Sequence, residues 1–527
     1  MSTLLPVWMV LALAWSSLQP QLSQAAKILA LFPYPLKSHF IMFDALLVEL
    51  AKRGHQLTVV NAFPKKQPIA NYTEVDVSGC FRLPSLRFEI ERAFSYHSSL
   101  LRDLFSYVEA YDNIFACEPM RQLSNISPPP HFDLVITEIF SSDAMLGYVH
   151  RFGAPLISFC STPLLTWASD RVGNPDNPSY IPFSYSDRPL DTPCSTLAQR
   201  AYNAYAYLLS RVKYKFFSEK KTDTIVRRHF GSDTPSLRQI SVENTSLIFT
   251  FSHLSINSAK PMVPGVVEVG GIQIKQPSPL PPDIEEFVNE AKDGVIYFCL
   301  GSLLQARTMP VEKRNAFLKA FSQIPQRVLW KYEEDDLPGK TDNIMIRKWM
   351  PQRDILAHPN VRLFIAHGGA LGLNEAVYEG VPILGIPFWV DQTLNIKSVQ
   401  AAGVAEMLEY PKISAEEVLS KIKKILNDDR YKRNAERLKA IYQDRPLSAM
   451  ETAIYWTEYV IRHKGATHLK SAAVRLYWFQ YLLLDTLAFF AFIVLSMVFF
   501  IAVSCMAFAK LVRRICNPLM RQEQSND

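Results

Sequence analysis

An apolar run, Val361 to Ala366, empties into His367-Gly368-Gly369, after which a helical pattern opens near Gly372 and stops at Gly380. Glycines at such a bend allow close approach to the backbone, and the first helical turn leaves N–H groups unpaired with a partial positive charge facing outward. A diphosphate fits that seat. The imidazole of His367 can donate to a phosphate oxygen, and Glu375, one turn into the helix, offers two acceptor oxygens to a ribose diol. A tight strand-to-helix turn with a satisfied histidine accounts for the same spacing. A second histidine, His39, stands in a polar turn after the first apolar strand, at the end where open parallel sheets bind ligands.

These residues need a scaffold, and the hydrophobic pattern supplies one. The strand Lys27 to Pro33, a helix-period segment from Met42 to Lys52 ending at Gly54, and the strand Leu57 to Val60 form a strand, helix, strand unit of a parallel sheet. Further strands are expected at Phe132 to Thr137, Leu156 to Phe159 and Ser246 to Thr250. The Pro- and Gly-rich stretch Pro261 to Asp283 is no helix or central strand and reads as a linker. A second series follows: strands at Val295 to Leu300, Arg327 to Tyr332, Val361 to Ala366 and Pro382 to Ile386, with helices Glu312 to Phe321 and Gly372 to Glu379. Both halves are α/β. Neither opening strand leads into Gly-x-Gly-x-x-Gly, so the standard dinucleotide fingerprint is absent.

The ends of the chain set the compartment. Thr486 to Ala509 carries no charge and is followed by Lys510, Arg513 and Arg514; as a helix it is about 36 Å long, enough to cross a hydrocarbon layer of roughly 30 Å. The basic cluster stays cytoplasmic, which predicts a single-pass type I protein with its bulk lumenal. Leu4 to Trp15, with small residues at Ser23-Gln24-Ala25, reads as a cleaved signal. Sequons at Asn71, Asn125 and Asn244 fall in the lumenal part. The chain has 527 residues, 48% of them hydrophobic and 20% charged, and a net charge of +6. That charge is small for the length and gives no footprint for nucleic acid. Five cysteines remain outside the span and tail; with an odd count, no Cys-x-x-Cys and no zinc spacing, neither a disulfide framework nor a structural metal is expected.

The run His367-Gly368-Gly369, Glu375-Ala376, Gly380-Val381-Pro382, Pro387 and Asp391-Gln392, preceded by Trp349-Met350-Pro351-Gln352, resembles the signature of the UDP-glycosyltransferase family. The resemblance covers nearly the whole chain, including Phe32-Pro33 with Ser38-His39-Phe40, the Gly301-Ser302 pair and the Arg445-Pro446 segment with Tyr455-Trp456. Thr452 to Lys464 and Leu371 are most similar to arthropod members. The resemblance implies α/β architecture with two Rossmann-like domains facing each other, the GT-B arrangement, plus a C-terminal transmembrane helix. The expected organisation is a signal peptide at 1–25, an acceptor domain at 27–260, a linker at 261–283 and a UDP-sugar domain at 284–465. A juxtamembrane segment (466–485), the span (486–509) and a cytosolic tail (510–527) complete it.

Carried over residue by residue, the resemblance implies that Trp349 stacks on uracil with Gln352 beside the nucleoside. Ser302, His367 and the backbone around Gly369 contact the phosphates, Glu375 holds the ribose, and Asp391 with Gln392 bonds the sugar hydroxyls. Leu371 stands where many members carry a polar Asn or Thr, so the backbone and His367 must serve the phosphate there. His39 is the general base for the acceptor hydroxyl, oriented by Glu138, where much of the family has Asp, or by Asp143. The aromatic surplus Phe94, Tyr96, Phe105, Tyr107, Tyr111, Phe183, Tyr202, Tyr205 and Tyr207 is core or the wall of an acceptor pocket. The expected activity is inverting and metal-independent, without a cofactor. It moves a hexosyl group, glucose by the arthropod likeness, from a UDP-sugar to a hydroxyl of a small lipophilic acceptor. Residence in the endoplasmic reticulum membrane follows from the family, with the plasma membrane open because the tail lacks a dilysine pattern; self-association is undecided. The rival is a non-catalytic, membrane-anchored binder of nucleotide sugar or hydrophobic ligand.

Overall fold

The computed structural model describes residues 25–81, 89–95, 107–185 and 195–523. The expected signal at 1–25 lies outside them except for Ala25, as do Tyr96, Phe105 and Cys194. The chain divides into two compact units, Met1–Ser471 and Ala472–Asp527, taken in turn.

The first unit holds two parallel sheets. In the first, β1 (Lys27–Phe32) is followed by helix α1 (Lys37–Lys52), β2 (Gln56–Asn61), β3 (Tyr72–Asp76), β4 (Leu134–Glu138), β5 (Leu156–Cys160), β6 (Thr245–Thr250) and β7 (Val266–Glu268). Their order across the sheet is β3-β2-β1-β4-β5-β6-β7. Strands covered on both faces read as continuous apolar runs, and alternate residues feed different cores. Leu29, Leu31, Val60 and Val135 pack on one side; Ile28, Ala30, Val59 and Ile136 pack on the other with Phe43 and Leu47 of α1. The second sheet contains β8 (Val295–Cys299), β9 (Arg327–Lys331), β10 (Ile344–Arg347), β11 (Val361–Ala366), helix α2 (Ala370–Glu379), β12 (Ile383–Gly385), helix α3 (Gln392–Ala401) and β13 (Ala405–Met407). Its order is β10-β9-β8-β11-β12-β13.

Strand order reverses once in each sheet, between β1 and β4 and between β8 and β11. Ligands bind outside the carboxyl ends of strands at such reversals. His39 follows β1 and Glu138 ends β4; Ser302 follows β8 and His367 follows β11.

Three boundaries differ from expectation. Helix α1 starts at Lys37, so His39 lies in its first turn and not in a loop, because the buried Phe40, Phe43 and Leu47 stripe extends back to Leu36, whose carbonyl accepts from Phe40 N at 3.1 Å. The expected linker contains β7, three residues at the sheet edge where nearby prolines cost no ladder bond, and Pro282 opens the helix Pro282–Asn289. The last part of the expected 284–465 domain, helix α4 (Ala449–Arg462), packs on the first sheet's core through Ala449, Ala453, Ile454 and Val460. Arg53 pairs with its Glu451 at 3.2 Å.

The cysteine expectation also needs correction. Cys80 and Cys117 form a disulfide with Cα atoms 5.7 Å apart. Parity of the count could not reveal it, because each bond depends on one pair of residues being brought together. Cys160 and Cys299 are buried and free. Of the sequons, Asn71 and Asn125 are exposed, whereas Asn244 donates to Ile240 O at 2.9 Å and Ser246 is buried.

The second unit contains helix α5 (Leu484–Glu523). Its stretch Leu484–Ile515, in which an 18-residue segment has a mean hydropathy of 2.7 and is unburied, is long and apolar enough to cross a bilayer. The expected span 486–509 lies inside it, and the helix continues past Lys510.

Candidate active site

The carboxyl ends of both sheets open into one crevice of about 450 Å³, lined by His39, Phe140 and Ser161 from the first sheet and by Ser302, Trp349, Gln352, His367, Gly369, Glu375, Asp391 and Gln392 from the second. Every donor-side residue expected from the sequence therefore faces the same space as His39.

On the first side, His39 Nδ1 lies 2.6 Å from Glu138 Oε1. Both side chains are largely buried, at 14% and 8% exposure. Ser161 Oγ, at the end of β5, donates to the same Glu138 oxygen at 2.7 Å and lies 3.0 Å from His39 Nδ1. The ring edge of Phe140 completes the enclosure, with centroids 4.8 Å apart. A carboxylate at Nδ1 fixes the proton there, leaving Nε2 as the basic nitrogen. The extra methylene of glutamate does not prevent contact.

Asp143 does not reach His39. Its carboxylate is held by Arg171, through a short buried ion pair, and by Tyr214 Oη at 2.7 Å. Chain proximity to Glu138 misled because β4 ends at 138 and the following turn directs Asp143 into the core. Removing one partner of a buried pair leaves the other uncompensated. Asp143→Asn is thus expected to cost about 3–5 kcal/mol of stability while turnover per folded molecule stays within a few-fold of wild type. Thermal melts with active-site-normalised rates check this; lost turnover with an unchanged melt would return Asp143 to the catalytic set.

On the second side, Gly369 precedes α2 without a side-chain cap, and the helix's first residues Ala370, Leu371 and Gly372 line the crevice. Orphan N–H groups at such a helix start suit an anion. A Cβ on Gly301 or Gly369 would come within 2.6 Å or 2.5 Å of the His367 ring. Both glycines are required for the imidazole to sit between the two strand ends. His367 Nδ1 is buried with no hydrogen-bond partner among the described residues. Burial, with a smaller push from Lys331, lowers its pKa to about 4, so the ring is neutral near pH 7.

Glu375 is buried and its carboxyl pushed up by that burial; Gln352 Nε2 donates to its Oε2 at 2.7 Å. Gln352 therefore orients the expected ribose acceptor. Trp349 is 61% exposed, with the Lys37 ammonium 4.8 Å over its ring. Asp391 Oδ2 accepts from Asn395 Nδ2 at 2.8 Å, and Gln392 Oε1 accepts from Phe388 N at 2.9 Å, leaving the Gln392 amide hydrogens for a ligand. Val390 before them has φ 57, a conformation costing a β-branched residue about 1–3 kcal/mol. The bonds of Gln392 hold that turn.

Of the aromatic residues read as core or acceptor wall, Tyr111, Phe183 and Tyr207 are core, Tyr205 is exposed, and Phe94 lies tilted against Tyr410. Tyr34, Leu36, Met42 and Phe140 line the crevice instead. Ser161, Asn395, Lys37 and Lys331 were not found from the sequence. The strand Leu156 to Phe159 was the one available signal for Ser161, since the residue after a parallel strand faces the ligand end.

His367 also predicts a pH effect. Its folded pKa lies below the unfolded value of 6.5, so between about pH 6.5 and 4 the unfolded chain binds a proton that the folded chain refuses, and stability falls as pH falls. The contribution is full above pH 6.5 and reaches up to ~3 kcal/mol. His367→Gln should melt with a smaller drop from pH 7.5 to pH 4.5 than wild type; an equal drop contradicts it.

A family model described as "UDP-glucoronosyl and UDP-glucosyl transferase" matches residues 130–518. The chain belongs to this family. It is 49% identical over 480 residues to "UDP-glycosyltransferase UGT5" of Dactylopius coccus, covering 90% of each chain. It is 40% identical to that organism's "UDP-glucosyltransferase 2", over 98% of each. "UDP-glucuronosyltransferase 2B7" of Homo sapiens is 31% identical, with 90% of this chain and 92% of the human protein covered. Among solved structures, a UDP-glucose: anthocyanidin 3-O-glucosyltransferase in complex with UDP aligns with a TM-score of 0.54 at 16% identity, covering 83% of this chain and 99% of that one. The protein is thus a UDP-glycosyltransferase of GT-B fold, an enzyme acting on a UDP-sugar and an acceptor.

Proposed function

We propose that this transferase moves glucose from UDP-glucose to a hydroxyl of a small lipophilic acceptor by a single inverting displacement. The observation that carries this reading is the His39–Glu138 pair facing, across one crevice, the turn that holds His367 and the opening of α2. Nε2 of His39 takes the acceptor proton as its oxygen attacks C1 of the sugar, and the C1–O bond to the β-phosphate breaks with its electrons remaining on UDP. Glu138 stabilises the resulting imidazolium. Trp349 stacks on uracil, Glu375 held by Gln352 binds the ribose, and Ser302, His367 and the α2 N–H groups receive the diphosphate. Asp391 and the Gln392 amide bind the sugar hydroxyls. Attack from the face opposite UDP turns an α-linked donor into a β-glycoside.

Glucose is favoured by the likeness to a relative named UDP-glucosyltransferase, and a lipophilic acceptor by the apolar wall of Tyr34, Leu36, Met42 and Phe140. Helix α5 anchors the enzyme, with the catalytic unit in the lumen of the endoplasmic reticulum, conjugating compounds that partition into membranes. Microsomes carrying the full chain, given UDP-glucose, UDP-glucuronate or UDP-galactose with a panel of phenols and alcohols, test the reading. Glucoside formation is expected; glucuronide alone would overturn the sugar assignment. Retention of donor without any product would favour a binding protein.

A further inference from the structure

The departing UDP gains negative charge, and the groups assigned to it so far are neutral: Ser302, an uncharged His367, backbone N–H groups and, at Leu371, a side chain with no donor. A full positive charge lies among them. Lys331 ends β9, the strand beside β8 that leads to Ser302, and its register neighbours place it on the sheet face of Tyr297 and Cys299, which also line the crevice. It is 8% exposed yet lines that cavity, and it acts electrostatically on His367. Its Nζ donates to Glu333 Oε1 at 2.9 Å, and Glu333 Oε2 in turn accepts from Arg307 N at 3.0 Å. The carboxylate is thus fixed from the far side and steadies the lysine's long stem. Of the other cations on the crevice wall, Lys37 sits over Trp349 and Arg353 pairs with Glu379 at 2.7 Å.

We infer that Lys331 is the leaving-group cation of this enzyme: its ammonium contacts the diphosphate and compensates the charge that collects there as the sugar departs. The inference rests on the donor site lying in this crevice. In the step, the C1–O bond to the β-phosphate breaks with its electron pair on that oxygen, the acceptor oxygen forms the new bond to C1, and the acceptor proton passes to His39. Lys331 keeps its proton throughout. Buried cations act most strongly in such water-poor sites, where charge develops and no solvent must reorganise.

The test compares UDP with uridine, which shares the base and ribose but lacks phosphate, by calorimetric titration of the full-length enzyme in detergent. Lys331→Met should weaken UDP at least 10-fold and leave uridine within two-fold, and Lys331→Arg should restore UDP to within about three-fold. Glu333→Gln separates a working charge from a structural pair: freeing the ammonium should hold or tighten UDP binding. Unchanged UDP affinity in Lys331→Met, or equal losses for UDP and uridine, would overturn the inference, as would a Glu333→Gln enzyme that loses UDP. Failure of the wild-type enzyme to bind UDP would instead sink the donor-site reading itself.

Discussion

His39→Ala is expected to lower the transfer rate by about 10²–10⁴-fold, the range for removing a positioned general base, while UDP affinity stays within about two-fold of wild type. The separation follows from architecture. His39 belongs to α1 of the first sheet, and the donor contacts come from the segments after β8, β10, β11 and β12 of the second. The alanine removes a ring that contacts Glu138, Ser161 and Phe140, none of which is assigned to UDP. Rates at saturating donor and acceptor, with UDP titrated separately, give both quantities. Undiminished turnover would remove His39 from its role, and a large loss of UDP binding would show that the substitution disturbs the crevice as a whole.

The second large effect is expected at Glu138. Glu138→Gln keeps the shape but offers an amide in place of the carboxylate, and the amide can donate to Nδ1. That favours the tautomer with its proton on Nε2, which cannot accept one from the substrate. By analogy with hydrolase triads the loss is about 10²–10⁴-fold in kcat. Glu138→Asp tests geometry separately from charge: the contact of 2.6 Å is lost when the side chain shortens, but Ser161 at 3.0 Å still restrains the ring, so a loss nearer ten-fold is expected. Because the proton of the neutral ring stays on Nε2, raising pH should not rescue Glu138→Gln to wild-type rate. Full rescue at high pH would mean that Glu138 only tunes basicity and does not set the tautomer.

What could be read in advance was what repeats or punctuates. The central strands β1, β4, β5, β8 and β11 are continuous apolar runs because both faces are covered, and Gly54 and Gly380 mark helix ends at positive φ of 95° and 68°. His367 and Glu375 share a helix entry with local geometry, so their convergence was legible. The short edge strands β3, β7, β10 and β13 were missed, since three to five residues with one neighbour carry little periodicity. Ser161 meets Glu138 across 23 residues and the two sheets meet across more than 200; such contacts depend on topology, which spacing does not record. The same limit hid the Cys80–Cys117 bond and the return of α4 to the first sheet. Asp143 failed for the opposite reason, since nearness in sequence stood in for direction.

The direct measurement is the anomeric configuration of the first product, read by proton NMR as a freshly added α-linked UDP-sugar is consumed. One attack from His39's side of the crevice, opposite the diphosphate, predicts a β-glycoside from the first turnover. An α-glycoside would require two displacements or attack from the UDP face, and would contradict the arrangement in which a single imidazole deprotonates the acceptor.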